Sequence, residues 1–176
     1  MMHLETLIRT IPDYPKPGIM FRDITTLLEH PEGFKTTVDR LADYGNKREV
    51  DVVAGIEARG FILGGAVAYR LGKGFVPIRK KGKLPWQTIG QAYDLEYGTD
   101  EVEVHVDAVK PGQKVLLIDD LIATGGTALA AAQLIKRSGG VLEQALFIVE
   151  LIELQGRQDL EEMGIEVHSL VQFDGE

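Results

Sequence analysis

VLLIDDLIATGGTA, residues Val115–Ala128, carries the reading of the fold. Val115–Ile118 is a short apolar run of the kind that fills a buried strand, and it delivers two adjacent carboxylates, Asp119 and Asp120, to the strand tip. Ala123–Thr127 then turns the chain, and Thr127–Ser138 is an alanine-rich helical pattern that stops at Gly139–Gly140. Strand, glycine turn and helix in that order form half of a parallel βαβ unit. Outward from it the alternation continues. Asp51–Ile56, Phe75–Arg79, Lys114–Asp119, Ala145–Leu151 and Glu166–Phe173 read as strands. Pro31–Tyr44 (with Gly45 just past its end), Phe61–Leu71 and Gln158–Met163 read as helices between them. The expected architecture is α/β, a Rossmann-like, mainly parallel sheet flanked by helices.

Two stretches interrupt the alternation. Tyr93–Tyr97 and Glu101–Asp107 each alternate apolar and polar residues, so they read as strands with one wet face, joined at Gly98–Thr99–Asp100 as an inserted antiparallel hairpin. Residues 1–30, with Pro12, Pro15 and Pro17, read as a small N-terminal cap outside the sheet but part of the same 1–176 domain.

The bulk properties narrow the function classes. A chain of 176 residues is long enough for one domain with a real core. A net charge of −8 argues against a nucleic-acid partner, which calls for a basic surface. The absence of cysteine excludes disulfides, thiolate nucleophiles and Cys-ligated zinc. No stretch is apolar enough to cross a membrane, and the first residues lack the layout of a signal peptide, so a cytoplasmic location is expected. The four histidines show no metal-ligand spacing, and no metal ligand is expected among the side chains.

In open parallel sheets, ligands bind beyond the carboxyl ends of the strands. Three strands here end in chemically loaded loops: Glu57–Gly60, Lys80–Lys83 and Asp119–Thr127. In the last, Gly125 and Gly126 permit a tight bend with exposed N–H groups, Thr124 and Thr127 supply hydroxyls, and the start of the following helix favours an anion. Ala123, Thr124, Gly125, Gly126 and Thr127 therefore make a cradle for a monophosphate, with Asp119 and Asp120 placed to accept hydrogen bonds from sugar hydroxyls. The bland alternative is a helix cap beside solvated acids. No lysine follows the glycines, so the loop is not a Walker A loop, and no Gly-x-Gly-x-x-Gly follows a strand. Arg79, Lys80, Lys81 and Lys83 form a basic cluster in an acidic chain; the alternative is a solvated loop. Gly82, Pro85 and the polar Gln87–Thr88 read as a mobile lid.

Val115–Ala128 resembles the diphosphate-sugar motif of type I phosphoribosyltransferases. Pro12–Thr25 (PDYPKPGIMFRDIT), Ala54–Gly72, Phe75–Pro85, Leu95–Asp100, Glu150–Leu151 and His168–Val171 are similar to the adenine phosphoribosyltransferase family, and the resemblance spans nearly the full length. It implies transfer of a phosphoribosyl group from 5-phospho-α-D-ribose 1-diphosphate to adenine, giving AMP and pyrophosphate. It implies Mg²⁺, held mainly by substrate oxygens and water, although two adjacent carboxylates could also ligate it directly. It also implies a homodimer. By resemblance the cap binds the purine, with Phe21 and Leu121 as the two faces of its slot and backbone groups around Met20 and Arg22 reading its edge. Arg59 contacts pyrophosphate, and the loop carrying Lys80 and Lys83 closes over the diphosphate. Arg79 is the candidate to reach a neighbouring subunit's site, and Glu96 is the candidate proton-transfer group, although its pattern alone reads as an exposed strand residue. The Glu57–Ala58 peptide is expected to be cis. Trp86 departs from the family's pattern. Two competing readings are a transferase for another purine, and a non-catalytic regulator that senses the diphosphate sugar. The latter is disfavoured by the acidic charge, by the retained Arg59 and Glu96, and by the cap pattern starting at Pro12.

Overall fold

The computed structural model describes residues 1–175. The chain begins with a cap: a 3-10 turn at Leu4–Leu7, an antiparallel ribbon of β1 (Arg9–Pro12) and β2 (Met20–Asp23), and the single-turn α1 (Thr25–Leu28). Leu4, Ile24 and Leu27 are fully buried and tie the cap to helix α2 (Pro31–Gly45). Pro31 occupies the first turn of α2, and the His30 side chain caps it by accepting the N–H of Gly33 at 3.0 Å.

The remaining elements are β3 (Val52–Ile56), α3 (Arg59–Leu71), β4 (Gly74–Lys80), β5 (Thr88–Asp94), β6 (Thr99–His105), β7 (Lys114–Ile122), α4 (Gly126–Arg137), β8 (Val141–Leu151), α5 (Gly156–Glu162) and β9 (Glu166–Phe173). They form a seven-stranded sheet in the order β5-β6-β4-β3-β7-β8-β9. Five strands, β4-β3-β7-β8-β9, are parallel; the β5–β6 hairpin joins antiparallel through Arg79↔Glu103 and Lys80↔Val102. The central strands are buried on both faces, which is why Val52–Ile56 and Val115–Ile118 read as continuous apolar runs. One face is covered by α2, α3 and the cap, the other by α4 and α5. Ala128, Ala130, Ala131 and Ala132 are buried, and their short side chains let α4 lie close to the sheet.

The chain leaves β3 for β4 on one side and returns to β7 on the other. The carboxyl ends of β3 and β7 therefore diverge at a topological switch point, the usual place for a ligand crevice.

Several boundaries differ from the sequence expectation. β7 does not end at Asp119 but runs to Ile122. Its pairing with β3 ends at Ile118, opposite Gly55, while β8 continues beside it through Leu121↔Val149 and Ile122↔Glu150. Backbone pairing with the longer β8 carries the strand past the point where its apolar side chains stop. Gly45 lies inside α2 rather than beyond it: a Cβ there would sit 2.6 Å from Leu116 Cδ2, so glycine permits close packing, and the helix stops at Asn46. The hairpin is shifted. Tyr93 and Asp94 end β5, Leu95–Gly98 forms the turn, and Leu95 N–H donates to Gly98 O at 2.9 Å. Gly98 has φ +99°, the left-handed conformation such a turn requires. Thr88, read as part of a lid, instead opens β5 opposite His105.

Candidate active site

Two cavities open at the switch point. The first, about 280 Å³, lies between the hairpin turn (Tyr93–Glu96) and the loop Leu121–Ala128. The second, about 420 Å³, lies between the cap (Ile19–Arg22), the start of α3 (Glu57–Arg59), Lys80 and Leu151. Asp119, Leu121 and Thr127 line both, so the cavities are two halves of one crevice.

The first half is shaped by backbone. Gly125 precedes α4 at φ +82°, and no side chain caps that helix start. The first N–H groups of a helix have no intrahelical partner, so those of α4 face the cavity available to an anion. Leu129 N–H donates to Gly125 O at 2.7 Å and closes the first turn. A Cβ on Gly125 would lie 2.6 Å from Gly156 Cα, so the loop rests directly on the start of α5. The structure thus places Ala123, Thr124, Gly125, Gly126 and Thr127 around one concavity, with the hairpin turn and Glu96 facing them.

The second half combines carboxylates and cations. Arg59 Nε donates to Asp120 Oδ2 at 2.5 Å, joining the start of α3 to β7. Asp119 Oδ1 accepts the N–H of Asp120 at 2.8 Å. Burial, then the like charge of Asp120, hold the Asp119 carboxyl well above the usual carboxylate range, although Arg59 opposes this. Asp119 thus faces both cavities, whereas Asp120 serves Arg59. Gly60 is required for this approach: a Cβ there would stand 3.0 Å from Asp119 Oδ1. The Glu57–Ala58 peptide is cis, as the resemblance implied.

Glu57 is a member of the site that sequence reasoning did not single out. Its carboxylate accepts from Lys83 Nζ and, at 2.8 Å, from the Lys80 N–H, and Arg79 Nε lies 3.5 Å away. Burial opposes its ionisation, but the Lys83 hydrogen bond, the Lys80 N–H and the two cations prevail and lower its pKa. Lys80 Nζ is held by Tyr93 Oη and by Asp100 Oδ2, the latter at 2.5 Å. Burial disfavours the Lys80 charge; the bonds to Asp100 and Tyr93 outweigh that and raise its pKa. Lys80 lines the second cavity; Arg79 and Lys83 sit behind it, on Glu57. Arg79 also donates to Lys83 O at 3.3 Å, so within this chain its guanidinium is turned onto Glu57 and the loop.

Phe21 packs edge-on against Tyr14, with centroids 5.2 Å apart, and faces Leu121 across the second cavity. Arg22 lies over the Phe173 ring at 4.0 Å and donates to Thr10 Oγ1 at 2.7 Å, while its buried Nε has no partner among the described residues. Glu96 is paired with Lys16 of the cap at 2.9 Å, a link across 80 residues of sequence that no local pattern discloses.

Among the described residues no group of three or more His, Asp or Glu could hold a metal ion. The crevice instead offers the Asp119 side chain beside an anion cradle. That donor set suits Mg²⁺, which commonly keeps its waters and takes one or two carboxylates plus substrate phosphates.

A phosphoribosyl transferase domain model matches residues 23–152. An adenine phosphoribosyltransferase from Parvibaculum lavamentivorans is 67% identical over 99% of this chain and 99% of its own length. The chain is a member of the adenine phosphoribosyltransferase family. The crystal structure of the Rhodothermus marinus family enzyme matches with a TM-score of 0.89 at 51% identity, covering 97% of this chain and 98% of that one. The Saccharomyces cerevisiae family enzyme, solved with D-2,5-dideoxy-2,5-imino-altritol 1,6-bisphosphate and adenine, matches with a TM-score of 0.89 at 35% identity, covering 96% of each chain.

Proposed function

We infer that the chain transfers the 5-phosphoribosyl group of 5-phospho-α-D-ribose 1-diphosphate to adenine, giving AMP and pyrophosphate. The observation that carries this reading is the divided crevice: a phosphate cradle in one half, an aromatic–aliphatic slot with cations in the other, and Asp119 shared between them.

The roles follow from the chemistry. Breaking the C1–O bond leaves positive charge on the ribose ring and negative charge on pyrophosphate. The cradle Ala123–Thr127 holds the 5-phosphate through backbone N–H groups and threonine hydroxyls. Asp119 and Asp120 accept hydrogen bonds from the ribose hydroxyls and hold the anomeric carbon between the two halves. Arg59 and Lys80 face the leaving pyrophosphate, and Lys83 reaches it once a phosphoryl group displaces it from Glu57. Each of these cations is kept in place by an internal carboxylate until substrate competes for it. Mg²⁺, held mainly by diphosphate oxygens and water, would supply neutralisation of the developing negative charge. Phe21 and Leu121 sandwich the purine, and backbone groups near Met20 and Arg22 read its edge. Glu96, released from Lys16, takes the purine proton.

Residues 1–176 act as one domain with the cap as its purine-binding part. The working unit is a homodimer in which Arg79 reaches the partner's site, and the location is cytoplasmic. Among the described residues no helix is long and apolar enough to cross a membrane. The test is AMP formation from adenine and the diphosphate sugar, with hypoxanthine, guanine and xanthine as competing bases. Turnover with adenine is expected, and it is abolished by EDTA and restored by Mg²⁺. Preference for a 6-oxopurine would overturn the base assignment, and tight sugar binding without pyrophosphate release would favour a sensor.

A further inference from the structure

Outside the crevice, the most completely bonded polar cluster is centred on Glu150, at the end of β8. Glu150 is 4% exposed. Arg157 Nε donates to its Oε1 at 2.6 Å and Arg157 Nη2 to its Oε2 at 2.5 Å. Ser169 Oγ donates to Oε2 at 2.5 Å, and Gln172 Nε2 at 3.2 Å. Arg157 Nη1 donates to Val167 O at 2.6 Å and to Glu161 Oε1 at 3.2 Å. The guanidinium therefore binds β8, β9 and α5 at once.

A buried ion pair adds little net stability over an apolar replacement of the same volume. A two-pronged guanidinium–carboxylate contact does fix orientation, because its geometry is planar and directional. What it orients is one residue away. Gly156 N–H donates to Ala123 O at 3.1 Å, and a Cβ on Gly156 would lie 2.5 Å from Ala123 O and 2.8 Å from Gly125 N. The backbone of Gly156 is thus the floor under the phosphate cradle, and it can be pressed there only because both residues lack side chains.

We propose that Arg157, clamped by Glu150 and Ser169, is a positioning residue for the 5-phosphate loop: it fixes Gly156, and Gly156 sets the height and tilt of Ala123–Gly125. None of the three side chains lines either half of the crevice. The inference rests on the phosphoribosyl reading above, and it predicts an effect confined to one half of the substrate. Ligands carrying the 5-phosphate lose affinity, and ligands of the diphosphate half do not.

The experiment is calorimetric titration of the full chain with ribose 5-phosphate and, separately, with pyrophosphate and Mg²⁺, alongside steady-state kinetics. Arg157→Lys keeps the charge but loses the fork. It should weaken ribose 5-phosphate about tenfold while pyrophosphate stays within about twofold. KM for the diphosphate sugar should rise and KM for adenine should hold. Ser169→Ala leaves the ion pair intact and should weaken ribose 5-phosphate about threefold, so it decides the matter if Arg157→Lys fails to fold. Equal loss of both ligands would mark a merely structural role and overturn the proposal. Unchanged ribose 5-phosphate binding in folded variants would overturn it as well. Failure of the unmodified protein to bind ribose 5-phosphate would instead overturn the phosphoribosyl reading itself.

Discussion

Asp119 and Asp120 are neighbours in sequence with different environments. Asp120 is committed to Arg59 at 2.5 Å, whereas Asp119 is desolvated, pushed above the usual carboxylate range by burial and by Asp120, and open to both halves of the crevice. Replacing both by asparagine removes two acceptors for sugar hydroxyls and frees Arg59 from its anchor. The Asp119→Asn/Asp120→Asn variant should lose about 10²–10⁴-fold in kcat/KM with its thermal unfolding largely kept. Near-normal kcat/KM for the diphosphate sugar would remove the assigned role. These two carboxylates were legible in the sequence because they follow an apolar strand and precede a glycine turn. Glu57, Lys16 and Arg157 were not. Their partners are Lys83, Glu96 and Glu150, and the first two lie 26 and 80 residues away, so only the folded chain brings them together. Arg157 is just seven residues from Glu150, yet nothing in the intervening sequence discloses that the pair is buried.

At the scale of elements, the phosphate loop shows how far a local pattern reaches. Its glycines predicted a turn at a helix start, and the turn is there. The reason for Gly125 in particular is tertiary: φ +82° combined with a Cβ position 2.6 Å from Gly156 Cα. Gly125→Ala would face both a left-handed backbone and a collision with main chain that cannot rotate away. It should cost about 2 kcal/mol of stability. It should also raise KM for the diphosphate sugar by more than KM for adenine, as steady-state kinetics with each substrate varied would show. The hairpin teaches the converse. The alternation of Tyr93, Leu95 and Tyr97 looked like a strand, yet Leu95 and Tyr97 are exposed and the turn falls on them. Period-two patterns fix which residues share a face but not where the strand stops, and here Gly98 at φ +99° decides that. The same limit applies to β7, whose end is set by the length of β8.

Over the whole molecule, two consequences can be measured. The first is acid stability. The Arg157 hydrogen bond, opposed by burial and helped by Ser169 and Gln172, lowers the Glu150 pKa from 4.5 to about 2. A depressed carboxylate pKa stabilises the fold above the unfolded value, and that contribution fades as pH falls from 4.5 toward 2. Glu150→Gln should therefore be less stable than the parent by about 3 kcal/mol near neutral pH, and the gap should close as pH approaches 2. Denaturant melts at several pH values would show it, and a gap independent of pH would contradict the linkage. The second is assembly. Ile62 and Tyr69 project from α3 at 49% and 89% exposure, one helical face apart by seven residues, with open space over Gly65 between them. That apolar stripe lies on the helix whose first residue is Arg59, beside the strand that ends in Arg79 and Lys80. A second copy docked there would bury the stripe. Sedimentation of the unmodified chain should give the mass of two copies, and Ile62→Asp/Tyr69→Asp should give one. If Arg79 acts across the interface, the monomeric variant loses turnover while still binding ribose 5-phosphate in the cradle built wholly from its own chain. A monomer with full turnover would confine Arg79 to the Glu57 contact seen within one copy.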